Sequence, residues 1–264
     1  MIGTVRVLGL EIADLTVAQA AAWLAARPAD AAFGYVVTPN ADHLVRMSRD
    51  ARFREACRQP LLCVLDSRVV RGLGKLIGLA MPAVVPGSDL TAELLAHHLR
   101  PGERITIVGL SPAWLPGLMA RCGLAPPAHH DPAKGFERDP EAFAAAVAFV
   151  NANPARFVFL AVGSPRQEYL AAAISASGRA SGTGLCVGAS LEFLAGARRR
   201  APRLMRWVGM EWLFRLAGDP RRLFRRYLID SPAVVGLLLR QRLGRRGEGG
   251  AARAARGPLS RWFG

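Results

Sequence analysis

The sequence predicts an α/β fold: a mostly parallel, Rossmann-like sheet flanked by helices, with a basic C-terminal helical appendage. Three observations carry this. Apolar runs of strand length recur along the chain, separated by helical stretches, as in sheets buried on both faces. Over 264 residues, 51% hydrophobic and 21% charged composition supplies a full globular core. Charge is segregated as well. Residues 196–264 hold seventeen arginines and no lysine against Glu211, Asp219, Asp230 and Glu248, a surplus of thirteen out of +15 for the whole chain. Only two net positive charges are left for residues 1–195. The expected division is therefore a body at 1–195 and an Arg-rich appendage at 196–264, its tail frayed after about 245, where Gly, Ala and Arg dominate.

The elements follow in order. Met1–Arg6 reads as a strand and lacks the layout of a signal peptide. Gly34–Thr38 is a buried strand, followed by a helix through Leu44, Val45 and Met47. Leu61–Leu65 is the next strand and ends at Asp66; Arg104–Gly109, Arg156–Gly163 and Gly184–Gly188 complete the set. Asp139 caps a helix that runs to Val150, with Pro140 at its first position. In the appendage, Pro202 to about Leu216 is helical and Gly218 stops it. Asp219-Pro220 opens a second helix with Leu223, Phe224, Tyr227 and Leu228 on one side and Arg222, Arg225 and Arg226 on the other. No stretch reaches the roughly 18 apolar residues of a membrane-spanning helix, so a cytoplasmic location is expected, with contact to a membrane only from its inner side. The four cysteines show no C-x-x-C pair and no histidine at zinc spacing, which predicts free core thiols and no metal site.

Ligands of such sheets bind beyond the carboxyl ends of the strands, and the chemistry-bearing motifs lie at those ends. Thr38-Pro39-Asn40-Ala41-Asp42-His43 is explained by Asn40 as a helix cap, but its hydroxyl, carboxamide and carboxylate also suit a sugar. Asp66 is either the cap of the next helix or a rigidly held general base, and Arg68 and Arg71 stand near enough in sequence to pair with it or with phosphate. In Val162-Gly163-Ser164-Pro165-Arg166-Gln167-Glu168, Ser164 and Gln167 match a capping box. The same turn aims backbone N–H groups at an anion. It is neither G-x-G-x-x-G nor a Walker loop. Gly188 to Pro202 reads as a linker into the appendage.

In this order and spacing the segments resemble the WecG/TagA/CpsF family of bacterial glycosyltransferases, from about Thr38 to Leu228. The resemblance rests on T-P-N-A-D-H at 38–43, Asp66 after its strand, P-G-S-D-L at 86–90 and G-F-E at 135–137. It continues through V-G-S-P-R-Q-E at 162–168, A-G-A-R-R-R-A-P at 195–202 and G-M-E-W-L-F-R-L at 209–216, with D-P-R-R-L at 219–223 and R-R-Y-L at 225–228. It implies transfer of a sugar from a UDP-sugar to a polyprenyl-diphosphate-linked acceptor, with inversion at the anomeric carbon and no bound metal or other cofactor. By match to family motifs, Asp66 resembles the catalytic base, and Thr38, Asn40 and Gln167 resemble substrate-contacting residues. Glu192 stands where the family carries an Asp and resembles a nucleotide contact. Arg215, Arg222 and Arg225 resemble arginines that close over the diphosphate. The implied setting is the inner face of the cell membrane, held through the appendage, in polysaccharide biosynthesis; self-association is left open. Two further departures, Ser67 where Gly usually follows the catalytic Asp and Val84 where Arg is common, bear on the transferred sugar. Truncation after about Gly196 is expected to leave a folded body with little activity.

The rival readings are a nucleic-acid-binding protein, suggested by the basic end, and a non-catalytic homologue. Against the first, no stacking motif appears and the arginines alternate with Leu, Trp and Phe as in an amphipathic interface. A nicotinamide-dependent oxidoreductase is disfavoured because the first strand lacks the glycine fingerprint.

Overall fold

The computed structural model describes residues 2–197, 201–202, 204–205, 208, 210–218, 220, 224 and 232–254, the side chains of 211, 215 and 245–254 excepted. The chain opens with an antiparallel hairpin, β1 (Thr4–Val7) and β2 (Leu10–Ala13). Its turn places both Leu8 and Gly9 at positive φ, the backbone that matches the twist of a two-residue hairpin. The main sheet contains β3 (Gly34–Val37), β4 (Leu62–Cys63), β5 (Thr106–Gly109), β6 (Ala128–His130), β7 (Phe157–Ala161) and β8 (Thr183–Cys186). Its six strands are all parallel, in the order β4-β3-β8-β7-β5-β6. The predicted α/β class with a parallel sheet is therefore the observed one.

Alternation along the strands divides the core in two. In β7, Val158 and Leu160 face one cluster, while Phe157 and Phe159 face the other. Helices α1 (Val17–Ala25), α5 (Gly87–Glu93), α6 (Leu115–Cys122) and α9 (Ser190–Ala195) cover one side through Leu24, Leu90, Leu118 and Leu191. Between α1 and α5 along the chain, α2 (Ala41–Arg49), α3 (Ala51–Ala56) and α4 (Arg68–Leu76) contribute Leu44, Phe53 and Val70 to the opposite side, joined there by α7 (Pro140–Ala152) and α8 (Arg166–Ser177) through Val150 and Ile174. Asp139 caps α7 as expected, accepting from the N–H groups of Glu141 and Ala142, with Pro140 at the first position.

Within the appendage two helices are described, Glu211–Gly218 and Ala233–Ala254. The second returns to the body. Val234 and Leu238 are buried in the same cluster as Leu44 and Phe53. Gln241 fastens the hairpin turn, its carboxamide accepting from the Leu8 N–H at 2.8 Å and donating to the Arg6 carbonyl at 3.1 Å. Among the described residues no helix is long and apolar enough to cross a membrane. The helix expected to start at Asp219-Pro220 lies outside the described residues for the most part.

The connections explain where a site can form. From β3 the chain runs outward to β4, and from β5 it runs outward the other way to β6. β7 and β8 fill the gap between, so their carboxyl ends and that of β3 border the crevice where strand order reverses.

Candidate active site

Three chain segments meet where β3 and β4 end. Thr38 follows β3, and the Asp66 N–H donates to the Pro39 carbonyl at 2.9 Å, holding the two strand ends side by side. On the other side of Asp66, Leu65 and Val84 form a parallel bridge and the Val85 N–H donates to the Leu65 carbonyl. That segment delivers Gly87, whose N–H donates to Asp66 Oδ2 at 3.1 Å. A Cβ on Gly87 would stand 3.0 Å from Thr38 Oγ1, so the absence of a side chain there lets Thr38, Asp66 and Gly87 converge. Asp66 is half-buried, and the cap of α4 is its neighbour Ser67, which accepts from the Val70 N–H. Of the two readings of Asp66, a cap for the following helix is thus removed. Arg71 donates to the Pro82 carbonyl, and Arg68 is exposed.

A buried polar chain ties this corner to the ends of β7 and β8. Asn40 Oδ1 caps α2 through the His43 N–H and meets His43 Nδ1 at 2.8 Å. His43 Nε2 faces Glu168 Oε1 at 3.3 Å, and Gln167 Nε2 donates to the same oxygen at 2.8 Å. Gln167 Oε1 in turn accepts from the Gly188 N–H at 2.8 Å. The two imidazole nitrogens of His43 thus bridge Asn40 Oδ1 and Glu168 Oε1. Burial alone would raise the Glu168 carboxyl, but the hydrogen bond and charge of His43, with the Gln167 amide, outweigh it and hold the group below its ordinary value.

The expected capping box is not formed. Helix α8 begins at Arg166 with Pro165 as its cap, and no side chain caps it. The Gln167 carboxamide turns inward because the Gly188 N–H is a part-buried donor whose loss would be costly. Ser164 Oγ is left buried without a hydrogen-bond partner among the described residues. The N-terminus of α8 thus lies at the crevice without a side-chain cap, its Gln167 N–H donating to the Gly163 carbonyl at 3.1 Å.

A protein-family model described as the glycosyl transferase WecG/TagA/CpsF family matches residues 5–248. The chain belongs to that family. It is a WecG/TagA/CpsF glycosyltransferase, and the crevice just described carries the motifs at 38–43, 66, 86–90 and 162–168.

Of the expected site residues in this glycosyltransferase, Thr38, Asn40 and Asp66 share one corner, and Asn40 is linked to Gln167 through His43 and Glu168. Gln167 is only 4% exposed, with both ends of its amide engaged inside the protein and one amide hydrogen left over. Glu192 is half-buried in the first turn of α9, four residues past Gly188. Arg215 has its backbone in the Glu211–Gly218 helix, while its side chain, and all of Arg222 and Arg225, lie outside the described residues. Gly87, His43, Glu168 and Gly188 lie within or beside the motifs, but sequence alone assigns none of them its contact with Asp66, Asn40 or Gln167. A trace was present, since His43 stands three residues past a helix cap and Glu168 adjoins Gln167, but nothing local says that residues 125 apart touch. The four cysteines are free, as expected; Cys57, Cys63 and Cys186 are buried, and burial pushes the Cys63 thiol up to about 12. Among the described residues no three His, Cys, Asp or Glu side chains gather as metal ligands.

Proposed function

We propose that this glycosyltransferase moves a hexosyl or N-acetylhexosaminyl group from a UDP-sugar to a polyprenyl-diphosphate-linked acceptor, with inversion, at the inner face of the cell membrane. The observation that carries the reading is Asp66: a half-buried carboxylate at a strand end, whose Oδ2 accepts from the Gly87 N–H where Thr38 and Gly87 converge. Single-step inversion needs a base that takes the acceptor hydroxyl proton as its oxygen attacks C1 and the bond to UDP breaks. Asp66 fills that role, with Thr38 and Asn40 beside it to bind the sugars and Gln167 to brace the wall or spend its last amide hydrogen on substrate. Glu192 contacts the nucleotide. The departing diphosphate gains negative charge, met by the positive N-terminal end of α8, which has no side-chain cap, and by Arg215, Arg222 and Arg225 of the appendage. Residues 1–195 act as the catalytic body and 196–264 as the part that closes the site and meets the membrane.

The test is transfer from a panel of UDP-sugars to a short-chain prenyl-diphosphate-sugar acceptor, with Asp66→Asn beside the unaltered protein. Asn keeps an acceptor for the Gly87 N–H, so the fold and UDP binding should persist while turnover falls by about 10²–10⁴-fold. UDP binding is read by thermal shift, since ligand at a hundred times its Kd stabilises by about 2.7 kcal/mol. Equal turnover by Asp66→Asn would remove the base from Asp66.

A further inference from the structure

We infer a second binding site in this protein, away from the crevice: a cavity that takes the hydrocarbon chain of an anionic membrane phospholipid. The cavity, about 940 Å³, opens between the β1–β2 hairpin, α2, the segment entering β4 and the C-terminal helix. That size is at the upper end of the range for small-molecule sites. Its walls are Leu8, Trp23, Leu44, Met47, Leu61 and Leu237. Three exposed guanidinium groups line its rim, those of Arg54, Arg58 and Arg240. Of the carboxylates beside it, Glu11 is engaged by Arg6 and Thr4, and Glu55 meets Arg58 at 3.4 Å, so the positive surplus rests on Arg54 and Arg240. An apolar interior below a positive rim fits an amphiphile with an anionic head, and neither a sugar nucleotide nor an uncharged ligand answers to both features.

Position argues for a membrane source. On the helix that supplies Leu237 and Arg240, the apolar side chains Val235, Leu239 and Leu243 are exposed, Leu243 by 64%. Side chains of that kind beside a positive rim suit a lipid surface. The site is also separate from the reaction. Cys63 is among its lining residues and stands three residues, about 10 Å of extended chain, before Asp66. The proposal rests on the membrane reading above only for where such a lipid is met.

The experiment uses the full chain and a photoactivatable lysophosphatidylglycerol below its micelle concentration, with the choline-headed lipid of the same chain as its partner probe. Labelled peptides should carry Leu44–Met47, Leu61–Leu62 or Leu237, and the choline probe should label at least tenfold less. Replacing Arg54 and Arg58 with Gln should weaken labelling about thirtyfold. Ser48→Trp, at an exposed lining position, should block the cavity and abolish labelling while the melting temperature holds. Labelling only outside these peptides, equal labelling by both lipids, or undiminished labelling after both sets of substitutions would overturn the site. No sugar nucleotide enters this assay, so its outcome is independent of the transfer reaction, which is followed separately with the short-chain acceptor.

Discussion

Glu168 joins the two halves of the crevice although it is only 1% exposed. One of its oxygens serves both His43 and Gln167, and the other is buried without a hydrogen-bond partner among the described residues. Removing its charge leaves His43 and Gln167 without the buried carboxylate that both meet. Glu168→Gln should therefore destabilise the fold by about 3 kcal/mol, read by urea unfolding; a change under about 0.5 kcal/mol would show that the carboxylate's contacts do not hold the two halves together. At this scale sequence exposed the residues whose chemistry follows from their own neighbours: Asn40 as a cap, Asp66 at a strand end. The capping box failed because Gln167 had a better partner in Gly188, reached only after β7 and β8 pair.

The strands and helices that sequence placed best are those with continuous burial. All four residues of β5 are buried, as are the first four of β7, and their apolar runs announce them. β6 escaped notice because Ala-His-His has neither an apolar run nor β-branched residues, and it exists as an edge strand through pairing with β5. β2 escaped because the Leu8-Gly9 turn lacks the usual Asn-Gly or Asp-Gly signal. The C-terminal helix shows the opposite case, a segment grouped with the appendage whose Val234 and Leu238, one turn apart, enter the core of the body. Leu238→Ala should cost about 2–5 kcal/mol of stability, measured by thermal unfolding. A cost near zero would mean that this helix does not hold the body together. Truncation after Gly196 removes both side chains, so the loss of activity expected of it would come with an uncovered core.

For the whole molecule, carboxylates paired in the folded state set the response to acid. Burial would raise the Glu103 carboxyl, but the two hydrogen bonds from Arg156, each 2.6 Å, prevail and hold it below its usual range, as His43 does for Glu168. A carboxylate whose folded value is depressed contributes stability above its unfolded value and loses it as pH falls through the folded one. Stability should thus be level near neutrality and decline below about pH 4, with a shallower decline in Glu103→Gln; unfolding midpoints collected from pH 7 to pH 2 check both. The same scale carries the charge division, with most of the +15 beyond residue 195.

Sequence by itself determined the class of fold, most of its buried strands, the order of the motifs and the concentration of arginine at one end. Those are short-range or compositional properties, written in the period of apolar residues and in the identities of caps. Tertiary structure alone decided that β3 lies against β8, nearly 150 residues away, which brings Asn40 and His43 to Gln167 and Glu168. It also set Gly87 against Asp66 and turned the last helix back onto the hairpin. Such contacts are selected by how two apolar faces of one sheet are covered together, and no local pattern along the chain encodes that choice.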